Sequence, residues 1–471
     1  MSEVKSWKEG SDGEPKFPTT FEVVKKAVLQ VTDIKTNRNK YYAVELHSAK
    51  NKYRVYTHYG RTDDLDSNPD AGMRESRYCD SLLEAQKLYD KIYQEKTSAR
   101  KGYKELSLAS SKIGSKQSIG KSSGEIDDKT LKKLADKDTK TKDLIPVVNL
   151  NKSVENLVSH LYAEATSALV STVNATITAN GIETPLGVLT IGQIDKGQSI
   201  LDDISSLVSQ KKKQEDKIIQ LSGDFYTVIP HKFGRSKTEA YAAIINNANK
   251  ISDKQETLQL MRDMLNVNSK SNALGNNDIY KKYTALGCSI EPVSKEKEKE
   301  LKAYINKSFV DKYDKFTIKN IFEIKREVEQ KEFNTKIGNE QLLFHGSAAK
   351  NWVGILSRGL LLPKQVVKMG VTRTDAGWLG HGIYFGNAAC TAYNYAGSSY
   401  RSKSKSRFIT IACVALGKIK DYRKITYNLT SPPDGYDSCH GVRADNSEFD
   451  DDEFVVYSQN QQKLEYLLEV E

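Results

Sequence analysis

The chain has 471 residues, too many for one ordinary core, so two to four domains are expected. An apolar share of 38% is normal for a globular protein, and a formal charge of +10 suits a polyanion partner, although a basic balance is often only a solubility feature. Five cysteines with no Cys-X-X-Cys pair argue against a zinc site, and no run reaches the ~20 apolar residues of a membrane span. The start, Met1–Lys5, has no apolar signal region, and the expectation is a soluble protein of a reducing, intracellular compartment.

Residues 1–18 are polar, with Gly10, Gly13, Pro15 and Pro18, and read as a flexible tail. From Tyr41 to Tyr59, two aromatic and β-branched runs predict strands, with Ser48–Lys52 as the hairpin turn between them. A helix follows over Leu82–Tyr89, with Ser81 and Glu84 spaced as a capping box. Residues 107–143 are dominated by Ser, Lys, Gly and Asp, too poor in apolar residues for a core, and read as a Lys/Ser-rich linker.

Helical periodicity then begins. Val154, Leu157, Val158, Leu161, Tyr162, Ala165 and Leu169 share one face, Pro185-Leu186-Gly187 breaks the run, and Thr190 with Gln193 starts a second helix. Asp253 and Glu256 predict the cap of a third, carrying Leu258, Met261 and Leu265. Residues 144–268 therefore read as an all-α bundle. The last 200 or so residues change to short β runs at Gln341–Phe344, Ile383–Phe385, Phe408–Leu416, Phe454–Tyr457 and Tyr466–Val470, which predicts a mainly antiparallel α+β domain. The fold class expected for the whole is multidomain α+β. The sequence shows no phosphate-cradling P-loop and no Rossmann glycine fingerprint.

Three separated pieces carry the chemistry: His345-Gly346, Gly382-Ile383-Tyr384-Phe385, and Glu453 opening an apolar strand. Breaking a nicotinamide–ribose bond builds positive character on the sugar, as glycoside hydrolysis does. Such a site needs aromatic faces for the nicotinamide, an unobstructed backbone for its carboxamide, polar anchors for the ribose, and a carboxylate to stabilise charge and orient the acceptor. Tyr384 and Tyr395, Gly346, His345 and Glu453 are the candidates for these roles in turn. Each residue also has a plain structural reading: His345 as a turn residue, Tyr384 as a strand aromatic, Glu453 as the end of the acidic loop Asp450-Asp451-Asp452.

Residues 277–471 resemble the catalytic domain of the poly(ADP-ribose) polymerase family. The match runs through Leu342–Ser347, Gly354–Leu360, Gly380–Phe385, Asn394-Tyr395, Val414–Gly417, Gly435–Ser438 and Glu453–Tyr457. The resemblance implies NAD as co-substrate without a metal, with His345, Tyr384 and Glu453 catalytic and His345, Gly346, Ser347, Gly354, Tyr384 and Tyr395 binding NAD. Within the family, Gly370–Asp375 and Pro433–Val442 are most similar to the vault-associated branch, which implies a vault-type particle as a partner. Glu at the position of Glu453 accompanies polymer-forming members. Two departures are Ala392, where the family usually has a Ser bonding the carboxamide, and Leu361, where an NAD-contacting Arg is common and Arg358 stands three residues earlier.

Residues 144–268 resemble the family's helical regulatory domain, through Pro185–Leu189 and Asp224–His231. Residues 19–106 resemble a WGR module, with Tyr59, Gly60 and Arg61 as its triplet and Gln94–Thr97 in its closing helix. The resemblance implies DNA binding by Tyr59, Gly60 and Arg61, at DNA ends or nicks. The expected function is DNA-break-activated poly(ADP-ribosyl) transfer to acceptor proteins and to the enzyme itself, in the nucleus, with the cytoplasm open and no membrane association. Mono-ADP-ribosylation and a non-catalytic nucleic-acid or vault adaptor are the alternatives.

Overall fold

The chain divides into two units, 1–141 with 169–265 and 142–168 with 266–471, in a computed structural model. It describes residues 4–124, 150–173, 175–178, 181–210, 214–231, 236–271, 278–311, 313, 315–363, 377–397 and 405–471. The architecture is mixed α+β, and no described helix is long and apolar enough to cross a membrane.

In the first unit, β1 (Trp7–Lys8), β2 (Glu22–Asp33), β3 (Arg38–Ala49), β4 (Lys52–Arg61), β5 (Met73–Cys79) and β6 (Lys104–Glu105) form an antiparallel sheet in the order β1-β5-β4-β3-β2-β6. The N-terminal segment expected as a loose tail thus supplies an edge strand, with the Ser6 hydroxyl also bonded to Glu75. The β3–β4 hairpin closes through Lys50 and Asn51 at φ 46° and 63°, the left-handed pair that matches strand twist. Tyr42, Val44 and Leu46 point to the helix Leu82–Thr97 and meet Ala85, Tyr89 and Ile92. Ser81 caps that helix as expected, its hydroxyl accepting the Glu84 N–H at 3.2 Å.

Alternation sends Glu45 and His47 to the opposite face of β3, where both are fully buried. The segment expected as linker covers them. Its strand β7 (Leu108–Ser111) and the buried Leu108, Ala109 and Ile113 are folded, while residues 125–149 lie outside the described residues. A carboxylate compensates for the sparse apolar content. Glu45 accepts hydrogen bonds from the Ser115 N–H and hydroxyl, the Ser118 hydroxyl and His47 Nε2, with Lys26 Nζ at 3.5 Å. Burial pushes the Glu45 pKa up, but these partners outweigh it and bring it down to about 2. The ammonium of Lys26 donates in turn to the Ile113 and Ser118 carbonyls.

Strand β7 extends a second sheet with β8 (Thr176–Thr178), β9 (Gly181–Glu183) and β10 (Gly187–Leu189), in the order β7-β10-β9-β8. Gly187 sits at φ 146°, and a Cβ there would lie 2.1 Å from the Ser110 carbonyl oxygen, so this hairpin needs glycine. Thr190 caps the helix Ile191–Val208, but Gln193 does not close the box. Its side chain accepts the Ser107 N–H and donates to the Val228 carbonyl. The third predicted cap is also displaced: the helix runs Ala248–Ser271, and Asn247 rather than Asp253 accepts its first-turn N–H, from Lys250. The helix Glu215–Val228 lies on β2, with Gly223 where a Cβ would be 2.6 Å from the Thr32 carbonyl oxygen.

The second unit holds a nine-stranded sheet of β11 (Ser289–Pro292), β12 (Ile318–Lys325), β13 (Glu340–Ser347), β14 (Ile383–Gly386), β15 (Arg407–Ala415), β16 (Ile419–Tyr422), β17 (Ser438–Gly441), β18 (Glu453–Val456) and β19 (Gln462–Val470). Their order is β11-β12-β19-β15-β13-β14-β18-β17-β16, antiparallel except for β16 with β17. One core cluster joins Phe344, Ile409, Ile411 and Leu468 to Leu301 and Ile305 of the helix Lys295–Lys307 and to Ala389 and Ala392 of the helix Ala389–Tyr395. A smaller one gathers Leu379, Cys439, Phe449 and Val455 beside Tyr384 and Tyr457. The helix Lys152–Thr172 buries the whole predicted face from Val154 to Leu169.

Removing the buried carboxylate of Glu45 strands Lys26, at a cost of roughly 3 kcal/mol or more. Glu45→Ala is expected to speed amide hydrogen exchange across residues 106–124 about 100-fold; unchanged protection there would show that the apolar residues alone hold the segment.

Candidate active site

Glu453 opens β18, and its cross-strand neighbours are Gly386 on β14 and Gly441 on β17. On the Gly386 side no cross-strand side chain stands beside the carboxyl, whereas at Gly441 the Phe449 ring takes the place a Cβ would fill, 2.3 Å away. Its Oε2 is buried without a hydrogen-bond partner. Burial, then the charges of Asp451 and Asp450, push its pKa up to about 7. The carboxyl acts electrostatically on the phenols of both Tyr384 and Tyr395.

Tyr384 lies on β14 opposite Val455. Its hydroxyl accepts the Leu379 N–H at 3.1 Å and donates to the Gly380 carbonyl at 2.7 Å, and its ring rests on Gly377, where a Cβ would come within 1.8 Å. Tyr457 donates to the Leu379 carbonyl and holds the same turn from the other side. Tyr395 ends the helix Ala389–Tyr395 with 67% of its surface exposed, so a ring face is open to stack on a planar ligand.

His345 sits on β13 opposite Thr410, with Nδ1 at 2.8 Å from the Tyr384 carbonyl oxygen. A carbonyl only accepts, so Nδ1 carries the proton, and burial lowers the ring's pKa and keeps it neutral. Nε2 is then left as an acceptor suited to a hydroxyl donor. A Cβ on Gly346 would lie 1.8 Å from the Ala392 carbonyl oxygen, so glycine is required for the helix Ala389–Tyr395 to lie on β13.

Ser347 and Gly354 are turned to a neighbouring task. The Ser347 carbonyl accepts the Trp352 indole N–H at 3.0 Å, its hydroxyl accepts from Asn351, and Gly354 is buried within the helix Trp352–Arg358.

Sequence reasoning missed the residues that hold Asp452. Its carboxylate accepts from His440 Nε2 at 3.0 Å, the Arg443 N–H at 2.9 Å and Asn387 at 3.2 Å. Tyr313 donates to Asp451 at 2.7 Å. The only signal was that His440 falls within a motif already noted for resemblance.

Three family descriptions match the chain: WGR domain over residues 25–109, Poly(ADP-ribose) polymerase, regulatory domain over 148–283, and Poly(ADP-ribose) polymerase catalytic domain over 295–447. The chain belongs to the poly(ADP-ribose) polymerase family. It is similar to Protein mono-ADP-ribosyltransferase PARP4 of Homo sapiens, 36% identical over 329 residues, covering 68% of this chain and 18% of that protein. It is also similar to Poly [ADP-ribose] polymerase 2 of Arabidopsis thaliana (24% identical, 88% of this chain, 64% of that one) and to Protein mono-ADP-ribosyltransferase PARP3 of Mus musculus (23%, 94% and 87%). The chain thus spans under a fifth of the human relative and just under two thirds of the plant one.

In this polymerase-family chain the Ala392 side chain belongs to the apolar cluster around Phe344. Arg358 donates to the Gly359 carbonyl at 2.7 Å. The vault-like stretch Gly370–Asp375 lies outside the described residues. In the WGR domain, Tyr59 stacks on Tyr42 at 5.3 Å and donates to Glu75, and Gly60 lies against Gly72 and the Tyr41 ring. Arg61 is engaged by Asp63 at 2.7 Å and by the Asn37 carbonyl at 3.0 Å. A phosphate at Arg61 has to compete with Asp63.

Between its ordinary value of 4.5 and about 7, folded Glu453 keeps a proton that the unfolded chain has lost, so stability falls as pH rises through that window. At pH 8, Glu453→Gln is expected to stabilise the second unit by on the order of 1–2 kcal/mol in denaturant titration, with the gain gone by pH 4; a variant less stable than wild type at pH 8 would contradict it. Gly346→Ala, in contrast, forces the helix Ala389–Tyr395 off β13 and is expected to lower the thermal midpoint of that unit by several degrees.

Proposed function

We propose that the chain is an NAD-dependent ADP-ribosyltransferase acting on protein acceptors, itself included, and releasing nicotinamide. The observation that carries the reading is Glu453: a buried, unpartnered carboxyl oxygen within electrostatic reach of two phenols, with space left by Gly386. A group this poorly satisfied is a poor structural choice and a good catalytic one.

NAD supplies the ADP-ribosyl group and the nicotinamide leaving group. Tyr384 and the open face of Tyr395 hold the nicotinamide plane, Gly346 offers backbone to its carboxamide, and His345 Nε2 accepts from a ribose hydroxyl. Ser347 and Gly354 support this wall through the Trp352 helix. Glu453, ionised, favours positive character on the ribose and accepts the proton of the attacking acceptor hydroxyl, while the bond to nicotinamide breaks with its electron pair leaving on the ring. With Ala392 in place of a hydroxyl donor, one neutral hydrogen bond to the carboxamide is lost, worth about 1 kcal/mol of NAD affinity.

Chain elongation is the reading that follows from Glu453, because a carboxylate there orients the sugar hydroxyl of a previous unit as readily as a protein group. Single-unit transfer is the second reading, favoured by the 36% identity to a protein named as a mono-ADP-ribosyltransferase. The WGR domain supports binding of broken duplex DNA, with Tyr59, Gly60, Arg61 and neighbouring cations as its candidate contacts, and stimulation of turnover through a shift toward an open regulatory domain. Such a role belongs in the nucleus.

Nicotinamide release by the purified chain is expected to rise on adding nicked DNA, to fall as salt increases, and to drop by about 10²–10³-fold in Glu453→Gln. Intact NAD after prolonged incubation of wild type with DNA would overturn the transferase reading. Equal rates with and without DNA would overturn the coupling. Gel analysis separates the two products: a smear means chains, a single small shift means one unit.

A further inference from the structure

The motif Asp437-Ser438-Cys439-His440-Gly441 has no part in the mechanism above, yet one of its residues sits at the base of Glu453. We propose that His440 is a positioning residue for Glu453: an imidazolium clamped between Asp421 and Asp452 that fixes the start of β18 and shields Glu453 from the acidic run preceding it. This rests on the reading of Glu453 as the reacting carboxylate.

The geometry carries the claim. His440 Nδ1 lies 3.0 Å from Asp421 Oδ1 on β16, and Nε2 lies 3.0 Å from Asp452 Oδ1. Ionised carboxylates only accept, so both ring nitrogens must donate, and the ring is a cation. It lies flat on Phe454, centroids 4.3 Å apart at 4°, which fixes its plane and adds attraction between the cation and the π face. The donors on Asp452 come from three places: β17, the loop after β17, and the loop after β14. Glu453 is the next residue. Its cross-strand neighbours are glycines, with only the apolar Phe449 ring filling the place beside Gly441, so no polar side chain at a paired position holds it and its direction is set by the backbone that Asp452 anchors.

The electrostatics follow. Asp450, Asp451 and Asp452 precede Glu453, and the first two act on it directly. Tyr384 and Tyr395 lie within electrostatic reach of Glu453, and Tyr313 donates to Asp451. Lys420 on β16 lies one position from Asp421, alongside Cys439. His440 neutralises Asp452 by direct contact. Burial alone lowers the His440 pKa, but the bonds to Asp452 and Asp421 outweigh it and raise it; Asp452 is correspondingly held down to about 2. The stabilisation is complete below the ordinary His range and lost as pH rises through the raised value. When the proton leaves, the charge of Asp452, next to Glu453, is no longer offset by the imidazolium.

The test is nicotinamide release by the full chain with saturating nicked DNA, from pH 5.5 to 9.5, for wild type, His440→Gln and His440→Arg. Wild type is expected to give a bell: an acid limb from Glu453 and an alkaline limb from His440. In His440→Gln, kcat is expected to fall about tenfold and the acid limb to move up by about one pH unit, with KM for NAD within about twofold. His440→Arg keeps the cation at every pH, returns the acid limb to its wild-type position and removes the alkaline limb. A His440→Gln profile with wild-type shape, merely scaled down, is what a structural role alone gives and overturns the proposal, as does an alkaline limb that survives in His440→Arg. NMR of the wild-type chain decides the clamp independently of activity and of variant folding: both His440 ring nitrogens protonated at pH 7 supports it, a neutral ring overturns it. Absence of nicotinamide release from wild type at every pH, with the imidazolium present, instead overturns the transferase reading and with it any positioning role in transfer.

Discussion

Two glutamates govern this protein, Glu45 fully buried and Glu453 half-buried, and they are treated in opposite ways. Glu453 is taken out of water beside further acids and given no partner for one of its oxygens, so its proton is held up to about 7. Glu45 is taken out of water more completely and surrounded by donors and an ammonium, so its proton leaves at about 2. Desolvation acts on both; the difference lies in hydrogen bonds and neighbouring charge. A fully satisfied carboxylate welds a segment to a sheet, whereas an unsatisfied one stays ready for a ligand.

The remainder of the catalytic unit can be understood as what makes the second condition tolerable. A large apolar sheet core anchors the strands around Phe344 and Leu468. Gly386 clears space beside Glu453, Gly441 makes room for the Phe449 ring, and Gly346 lets a helix backbone approach β13. The phenol of Tyr384 and that of Tyr457 pin the turn at Leu379 and Gly380. Asp452, beside the unsatisfied residue, is by contrast fully engaged by His440, Arg443 and Asn387.

Much of this was legible in the residues. The face from Val154 to Leu169 is buried as its spacing requires, and every β run named in the C-terminal part is a strand. The misses have physical causes. Strand β12, Ile-Lys-Asn-Ile-Phe-Glu-Ile-Lys, alternates poorly with charge, and β16 and β17 are four residues each, too short for periodicity to register. The stretch after Ser107 looked like a spacer because composition counts apolar residues and cannot see a carboxylate more than sixty positions earlier that bonds Ser115 and Ser118. Asp253 and Glu256 fitted a cap by spacing, but Asn247 lay upstream with the geometry to take the N–H.

The sequence by itself determined the three domain types, the identity of the candidate carboxylate and the phenols, and the glycines that motif spacing made visible, because these depend on local order and on residue type. Only the tertiary structure decided what each group's partners are: that Arg61 is held by Asp63, that His345 donates to Tyr384 and keeps Nε2 free to accept, and that His440 stands between two aspartates. Proton affinity depends on distance and on exclusion of water. Both arise when strands far apart in the chain are laid side by side, and neither is written in any local run of residues.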